Sequence, residues 1–574
     1  MQQNRFYRMA FLPAISGAFS AFFLFSSVVV FGGAPLYGRE PVRARHAMVV
    51  ASQPAEQVGV EILRKGGNAV DAAVAVGFAL NAAYPFAGAM GGGGFMTIRL
   101  ADGTSTFIDF REEAPGKASK TMYLDANGNA TRESATGWKS SGVPGTVRGF
   151  ELAQKKYGKL KWAEDLAPAI AMAQQGFPAP YALAESLRTA RSLAGNAESK
   201  RVFQRDGKFY EQGDTITFPD LARTLTRIAQ GGADEFYLGE TAHTLAAAME
   251  ANGGLITLDD LKNYKAIERA PLTGKYRNYT IITAPPPSAG GLGILQMLAM
   301  LEGSGYEKGG FGSASALHYE AEVMRRFYAD RNQYIGDPDF VKNPIAGLLD
   351  PAYIASRRAS IDPAHATPST VLGPGKPAGT ESSETTHFDV VDEQGNAVAV
   401  TFTLNGGYGN GITVPGLGFL LNNEMDDFTS KPGVANMFGL IQGEANTIAP
   451  GKRPVSSMAP TIVLRDGKLF AVLGGPGGSR IPSAILQAFV DVVDFGMNAQ
   501  DAVDAPRIHH QWMPDRITME KGLSPDTIEA LKARGHDARY EGGPVTAEVE
   551  MILIDGGWLQ GAGDPRRSGT GAGY

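Results

Sequence analysis

The stretch TTHFDVVDEQGNAVAVTFTL, residues 385–404, decides the fold. Its two halves run apolar or alternate on either side of the turn Glu393-Gln394-Gly395-Asn396, which predicts two antiparallel strands joined as a hairpin. Immediately upstream the composition is opposite. From about Asp362 to Ser383, Pro, Gly, Ser, Thr and Ala dominate, so this segment is expected to be exposed, extended and poor at packing. A chain break would be tolerated there. Thr385 therefore stands where such a segment meets the mouth of a sheet.

Working outward, TIVLRDGKLFAVLGG (461–475) predicts a second hairpin. GGGGFMTIRL (91–100), the turn 101–103 and TSTFIDF (104–110) predict a third, with Arg111 directly at the end of its second strand. From Gln53 to Ala83 the pattern is helical and rich in Ala and Val, broken by Gly66, Gly67 and Asn68 and closed by Pro85. From Gly145 to roughly Asp330 it is mainly helical, a scaffold, with PPPSAGG (285–291) as a rigid turn.

With 574 residues, 43% hydrophobic and 20% charged, the chain has the composition of a large globular protein without repeats. A net charge of -6 with scattered Lys and Arg gives no footprint for nucleic acid. There is no cysteine, which excludes disulfides and thiolate chemistry. At the N-terminus, Arg5 and Arg8 precede an uncharged stretch from Met9 to Gly38 with an apolar centre at Ala21 to Phe31. Residues 1–34 read as an export signal, or as an N-terminal anchor if uncleaved, and place the protein in the periplasm or outside the cell.

The usual nucleophile sets are scarce: no Gly-x-Ser-x-Gly elbow, no His-Glu-x-x-His and no Walker A motif occur. His509 and His510 are adjacent, point to opposite faces of a strand and are assigned packing or hydrogen-bonding roles; no metal is assigned. The Gly407, Gly409, Gly411 run lacks the helix and acid of a dinucleotide fingerprint and is a turn. On the dipeptide alone, Thr385-Thr386 would be an ordinary strand start.

Context changes that. GGNAVDAAVAVG (66–77), GGGGFM (91–96), DFRE (109–112), TTH (385–387), LNNEMDDF (421–428), KRPVSSMAPTIV (452–463), GGPGGSR (474–480) and GAGY (571–574) occur in the order found in the γ-glutamyltranspeptidase family of N-terminal nucleophile hydrolases. The chain resembles that family from about Met48 to Tyr574. The resemblance implies an α+β fold, a four-layer αββα sandwich, and a precursor cut between Glu384 and Thr385 into a large subunit (35–384) and a small catalytic subunit (385–574). The two are expected to remain together as a heterodimer that needs no cofactor.

In that reading the Thr385 hydroxyl attacks the Glu384 carbonyl, the resulting ester hydrolyses, and the freed α-amine becomes the catalytic base, with a reference pKa of about 7.7 to 8.0. The resemblance assigns Thr403 as a partner of the nucleophile and Gly477 and Gly478 as oxyanion-hole donors. It assigns Arg111, Ser456 and Ser457 to the substrate α-carboxylate, and Asn405, Glu424 and Asp427 to its α-ammonium. Substrates would be glutathione and other γ-glutamyl compounds, with water, amino acids or dipeptides as acceptors. Where many bacterial relatives carry a lid tyrosine this chain has Phe438, which lacks the hydroxyl expected to reach Asn405 and predicts a looser lid. Competing expectations are a cephalosporin (glutaryl) acylase, against which Asn405, Glu424 and Asp427 argue, and an inactive exported homologue, against which Thr385, Thr403, Gly477 and Gly478 argue.

Overall fold

The computed structural model describes residues 39–375, 386–540, 547–566 and 568–574. Its centre is built from β1 (Val42–Ala44), β2 (Met48–Ser52), β3 (Gly93–Arg99), β4 (Ser105–Phe110), β5 (Ile267–Arg269), β6 (Leu272–Tyr276), β7 (Tyr279–Thr283), β8 (Thr386–Val391), β9 (Ala397–Thr403), β10 (Thr461–Arg465), β11 (Lys468–Gly474), β12 (Glu550–Asp555), β13 (Trp558–Ala562) and β14 (Gly569–Gly573). They form two seven-stranded sheets, β14-β2-β8-β9-β3-β4-β5 and β1-β13-β12-β11-β10-β7-β6. The hairpin expected at 385–404 is present: β8 and β9 are antiparallel, with Thr386 opposite Phe402 and His387 opposite Thr401.

The two-residue period of a strand sorts side chains into layers. Val390, Val398 and Val400 face a core shared with α1 (Ala55–Arg64), α2 (Ala69–Ala83), α3 (Thr146–Tyr157) and α4 (Trp162–Gln175). Their neighbours Val391, Ala397 and Ala399 face Ile462, Val472 and Ile552 of the second sheet. That sheet's other side, with Val463, Leu473 and Met551, packs on α5 (Gly290–Leu301), α6 (Ala314–Tyr334) and α7 (Ile481–Val493). Helix, sheet, sheet and helix give the four layers expected.

Helix α2 shows why the small residues matter. Asn68 caps it by accepting from the backbone N–H of Val70 and Asp71, while Asp71 accepts from Asn68 N, a capping box. All its residues are buried, and a Cβ on Gly77 would fall 2.3 Å from the Phe150 ring, so only glycine admits that contact.

The segment from Gly145 to Asp330 is not helical scaffold alone. It also contributes β5 to the edge of the first sheet, against β4, and the β6–β7 hairpin to the edge of the second. The edge strands β5 and β6 are short and partly exposed, with three and five residues and little apolar content to mark them. Both sheets consequently interleave strands from the two sides of Thr385, and β14 at the C-terminus pairs with β2 near the beginning of the described chain.

One buried carboxyl in the first helical layer yields a stability test. Asp165 on α4 is fully buried, and neither carboxyl oxygen has a hydrogen-bond partner among the described residues. Burial, with the nearby carboxylates of Asp71 and Glu164, pushes it up to about 9. Its folded value lies above the unfolded one, so the stability it permits is complete below about pH 4 and is lost as pH rises toward 9. Asp165→Asn is expected to stabilise the protein by about 2 kcal/mol at pH 7.5 and to lose that advantage near pH 4. Thermal melts of both proteins across pH 4–8 check this; parallel curves would refute the buried acid.

Candidate active site

Thr385 and Glu384 lie outside the described residues. The described chain resumes at Thr386, the first residue of β8. Thr403 ends β9, opposite Gly93 of β3, and is buried. Its Oγ1 accepts from Asn405 N at 2.6 Å, which helps fix Asn405 at φ 70°, a left-handed conformation that asparagine tolerates better than most residues. Asn405 Nδ2 donates to Asn423 O at 2.9 Å, and its Oδ1 is buried without a partner among the described residues.

Between the sheets, His387 joins Thr401 Oγ1 at 2.9 Å to Asp389 Oδ1 at 2.8 Å. Burial pushes the Asp389 carboxyl up, and His387 opposes this. The facing strand comes so close that a Cβ on Gly474 would lie 2.3 Å from His387 Cε1. This polar row begins two residues after Thr385.

Arg111 follows β4 and is fully buried. Its Nε donates to Pro454 O at 3.1 Å, one terminal nitrogen contacts Glu112 at 3.3 Å and is paired with Glu424, and the other is paired with Asp427. One guanidinium thus faces three buried carboxylates. Burial works against the Arg111 charge, but Glu424, Glu112 and Asp427 more than offset it and raise its value. The surplus negative charge appears on the acids: burial pushes Glu112 up to about 7 and Glu424 well above the carboxylate range, with Arg111 pulling both back. Glu424 Oε2, Asp427 Oδ1 and Glu112 Oε1 remain buried acceptors without partners among the described residues. The cluster can therefore take up a further cation, and a carboxylate would have to share or displace one of the Arg111 pairs.

Ser456 and Ser457 are buried on the segment that Arg111 holds through Pro454. Ser457 Oγ accepts from Arg331 of α6 at 2.9 Å, and Ser456 Oγ accepts from Met458 N at 3.1 Å, so each hydroxyl proton is left to donate. Gly477 and Gly478 lead into α7 at φ 142° and 71°, conformations that favour glycine. The next residue, Ser479, receives the Tyr328 hydroxyl on its carbonyl and donates through Oγ to Gln511 Oε1 at 2.9 Å.

Gln511 also meets His509 Nε2 at 3.0 Å and donates through Nε2 to the Phe438 carbonyl at 3.4 Å. The 428–446 loop is strapped down elsewhere too: Met437 N donates to Asp426 at 3.0 Å and Asn446 Nδ2 to Asp427 O at 2.7 Å. Beside Asn405 stands Met437, whose sulfur is 4.0 Å from Asn405 Nδ2. His510 has different partners, Asp515 at 3.2 Å and Trp512 N at 3.0 Å.

Arg111, Glu424 and Asp427 are thus brought into one cluster, Thr403 and Asn405 into another beside it, and Gly477 and Gly478 are tied to the Phe438 loop through Ser479 and Gln511. Glu112, Arg331, Met437 and Gln511 join the site without having been among the residues expected there. Glu112 stands within DFRE, next to Arg111; Arg331 is one of several charged residues on α6, with His318, Glu320, Glu322, Arg325, Arg326 and Asp330, and nothing in the sequence singles it out, nor Met437 or Gln511.

The sequence profile described as Gamma-glutamyltranspeptidase matches residues 55–574. The chain is 50% identical over 530 residues to a glutathione hydrolase proenzyme of Escherichia coli (strain K12), covering 92% of this chain and 91% of that one. Among solved structures it is similar to a cephalosporin acylase from Bacillus halodurans, at TM-score 0.84 and 27% identity over 95% of this chain and 98% of the other. It is also similar to a γ-glutamyltranspeptidase from Helicobacter pylori, at TM-score 0.56 and 41% identity, covering 59% of this chain and 97% of that one.

Proposed function

The chain belongs to the gamma-glutamyltranspeptidase family, and we propose that it cleaves the γ-glutamyl amide of glutathione and related compounds, passing the acyl group to water or to the amine of an amino acid or dipeptide. The observation that carries this reading is the buried Arg111–Glu112–Glu424–Asp427 cluster. One cation among three acids suits a zwitterionic head group: its carboxylate goes to Arg111, with Ser456 and Ser457 donating, and its ammonium supplies the positive charge that Glu424, Asp427 and Asn405 lack.

Chemistry begins with maturation. The Thr385 hydroxyl adds to the Glu384 carbonyl, the peptide C–N bond breaks to leave an ester and a free α-amine, and water hydrolyses the ester. The 35–384 and 385–574 subunits stay together because both sheets draw strands from each. In turnover the α-amine takes the Thr385 hydroxyl proton, the oxygen adds to the γ-carbonyl, and the N–H groups of Gly477 and Gly478 stabilise the oxyanion. The leaving amine departs with a proton, and water or an acceptor amine releases the acyl group. Thr403 holds the nucleophile, and Phe438 lies on a lid that Gln511 secures through its backbone.

Export fits the N-terminal segment 1–34, which lies outside the described residues. Among the described residues no helix is long and apolar enough to cross a membrane. The acylase alternative predicts an acyl group without an ammonium, which would add a carboxylate to an already acid-rich cluster. Comparing hydrolysis of a γ-glutamyl anilide and the matching glutaryl anilide separates the two: the γ-glutamyl substrate is expected to be preferred by about 10³-fold in kcat/KM. A preference for the glutaryl compound would replace this reading with the acylase one.

A further inference from the structure

A cavity of about 340 Å³ opens beside the 428–442 loop, bounded by Arg132, Ser134, Asp426, Phe428, Lys431 and Met437. Asp426 is already committed, accepting from Ser134 Oγ at 2.6 Å and Met437 N at 3.0 Å. The cations are held more loosely, Arg132 acting on Asp426 and Lys431 on Asp125 through charge alone. The Arg132 side chain is exposed and has no hydrogen bond or ion pair among the described residues, and Lys431 Nζ donates to Gly128 O at 2.6 Å with two protons to spare. With Arg132 and Lys431 set against the single carboxylate of Asp426, the surplus charge of the lining is positive, opposite in sign to that around Arg111. Phe428 and Met437 supply apolar surface, and the volume lies in the range of small-ligand sites.

The cavity shares a wall with the donor site. Met437 lines it and places its sulfur 3.7 Å from Asn423 Nδ2 and 4.0 Å from Asn405 Nδ2. We infer that this cavity is the acyl-acceptor site, taking an α-amino acid or dipeptide whose free carboxylate rests on Arg132 and Lys431 while its neutral amine reaches across Met437 toward Asn405 and Thr403. The inference rests on the γ-glutamyl transfer reading above. In the step served, the amine nitrogen adds to the acyl-Thr385 ester carbonyl, the new C–N bond forms, the C–Oγ bond breaks, and the proton lost from nitrogen ends on the Thr385 hydroxyl. No oxidant or further reactant is required.

The test uses the processed enzyme with γ-glutamyl-p-nitroanilide as donor and either glycylglycine or glycylglycinamide as acceptor. In Arg132→Ala/Lys431→Ala the KM for glycylglycine is expected to rise about tenfold while that for the amide stays within twofold, as removal of a charge-assisted contact to the carboxylate requires. Hydrolysis without acceptor should stay within twofold of wild type, which also verifies folding. Equal changes for acid and amide, no change for either, loss of hydrolysis in the variant, or a wild-type enzyme that hydrolyses but never transfers would each overturn the site. A wild-type enzyme that fails to hydrolyse the donor at all would instead overturn the γ-glutamyl reading beneath it.

Discussion

Thr385→Ala is expected to yield one uncut chain with hydrolase activity at least about 10⁴-fold below wild type, the scale on which removal of a nucleophile acts. Two losses combine in one substitution. Without the hydroxyl there is no attack on Glu384, hence no ester and no free α-amine; and even a chain cut by other means would lack the oxygen that carries the acyl group. The fold should persist, because β8 and β9 are held by a register running from Thr386 to Val391 and by flanking β2 and β3. Denaturing gels with N-terminal sequencing should give a wild-type fragment beginning at Thr385 and a single variant band, while Thr385→Ser, which keeps the hydroxyl, should still be cut. An alanine variant that is processed or that retains activity would remove Thr385 from both roles.

How far such residues could be found in advance depended on range. The 385–404 hairpin is legible because its apolar positions repeat at the period of a strand, and α2 because an Ala- and Val-rich run follows the break at Gly66, Gly67 and Asn68; that Asn68 caps the helix with Asp71 shows only in the structure. The edge strands β5 and β6 are not, because three to five partly exposed residues at a sheet edge owe their conformation to the neighbouring strand. Arg111, Glu424 and Asp427 were picked out singly through family resemblance, but not their mutual pairing across more than 300 residues of sequence. The family resemblance assigns these charges to a ligand; in the structure they compensate one another, as burial demands of any charge. Glu112 was passed over for the same reason, since its effect exists only once Glu424 and Asp427 arrive beside it. Phe438 likewise loses a hydroxyl, yet the loop bearing it gains a backbone anchor from Gln511, 73 residues away in sequence.

Arg111→Lys should be nearly as damaging to substrate recognition as losing Thr385 is to chemistry, despite conserving the charge. Arg111 occupies three separate directions at once, toward Pro454 O, toward Glu112 and Glu424, and toward Asp427. A lysine ammonium is a single point that cannot span this fork or present two parallel N–H groups to a substrate carboxylate. Left less well compensated, Glu112 and Glu424, already pushed up by burial, would hold their protons more firmly and meet the substrate ammonium as neutral acids. Both ends of the head group thus lose affinity, and kcat/KM for γ-glutamyl donors is expected to fall about 10³-fold, mostly through KM because these contacts are made in ground and transition state alike. Arg111→Ala should add a stability loss of about 3–5 kcal/mol by stranding the buried acids. The discriminating measurement is a donor that lacks the α-carboxylate, a γ-aminobutyryl anilide: wild type and Arg111→Lys should differ far less on it than on the γ-glutamyl anilide. If the lysine enzyme lost equally on both donors, Arg111 would be a strut for Glu424 and Asp427 and the carboxylate would have to be held elsewhere.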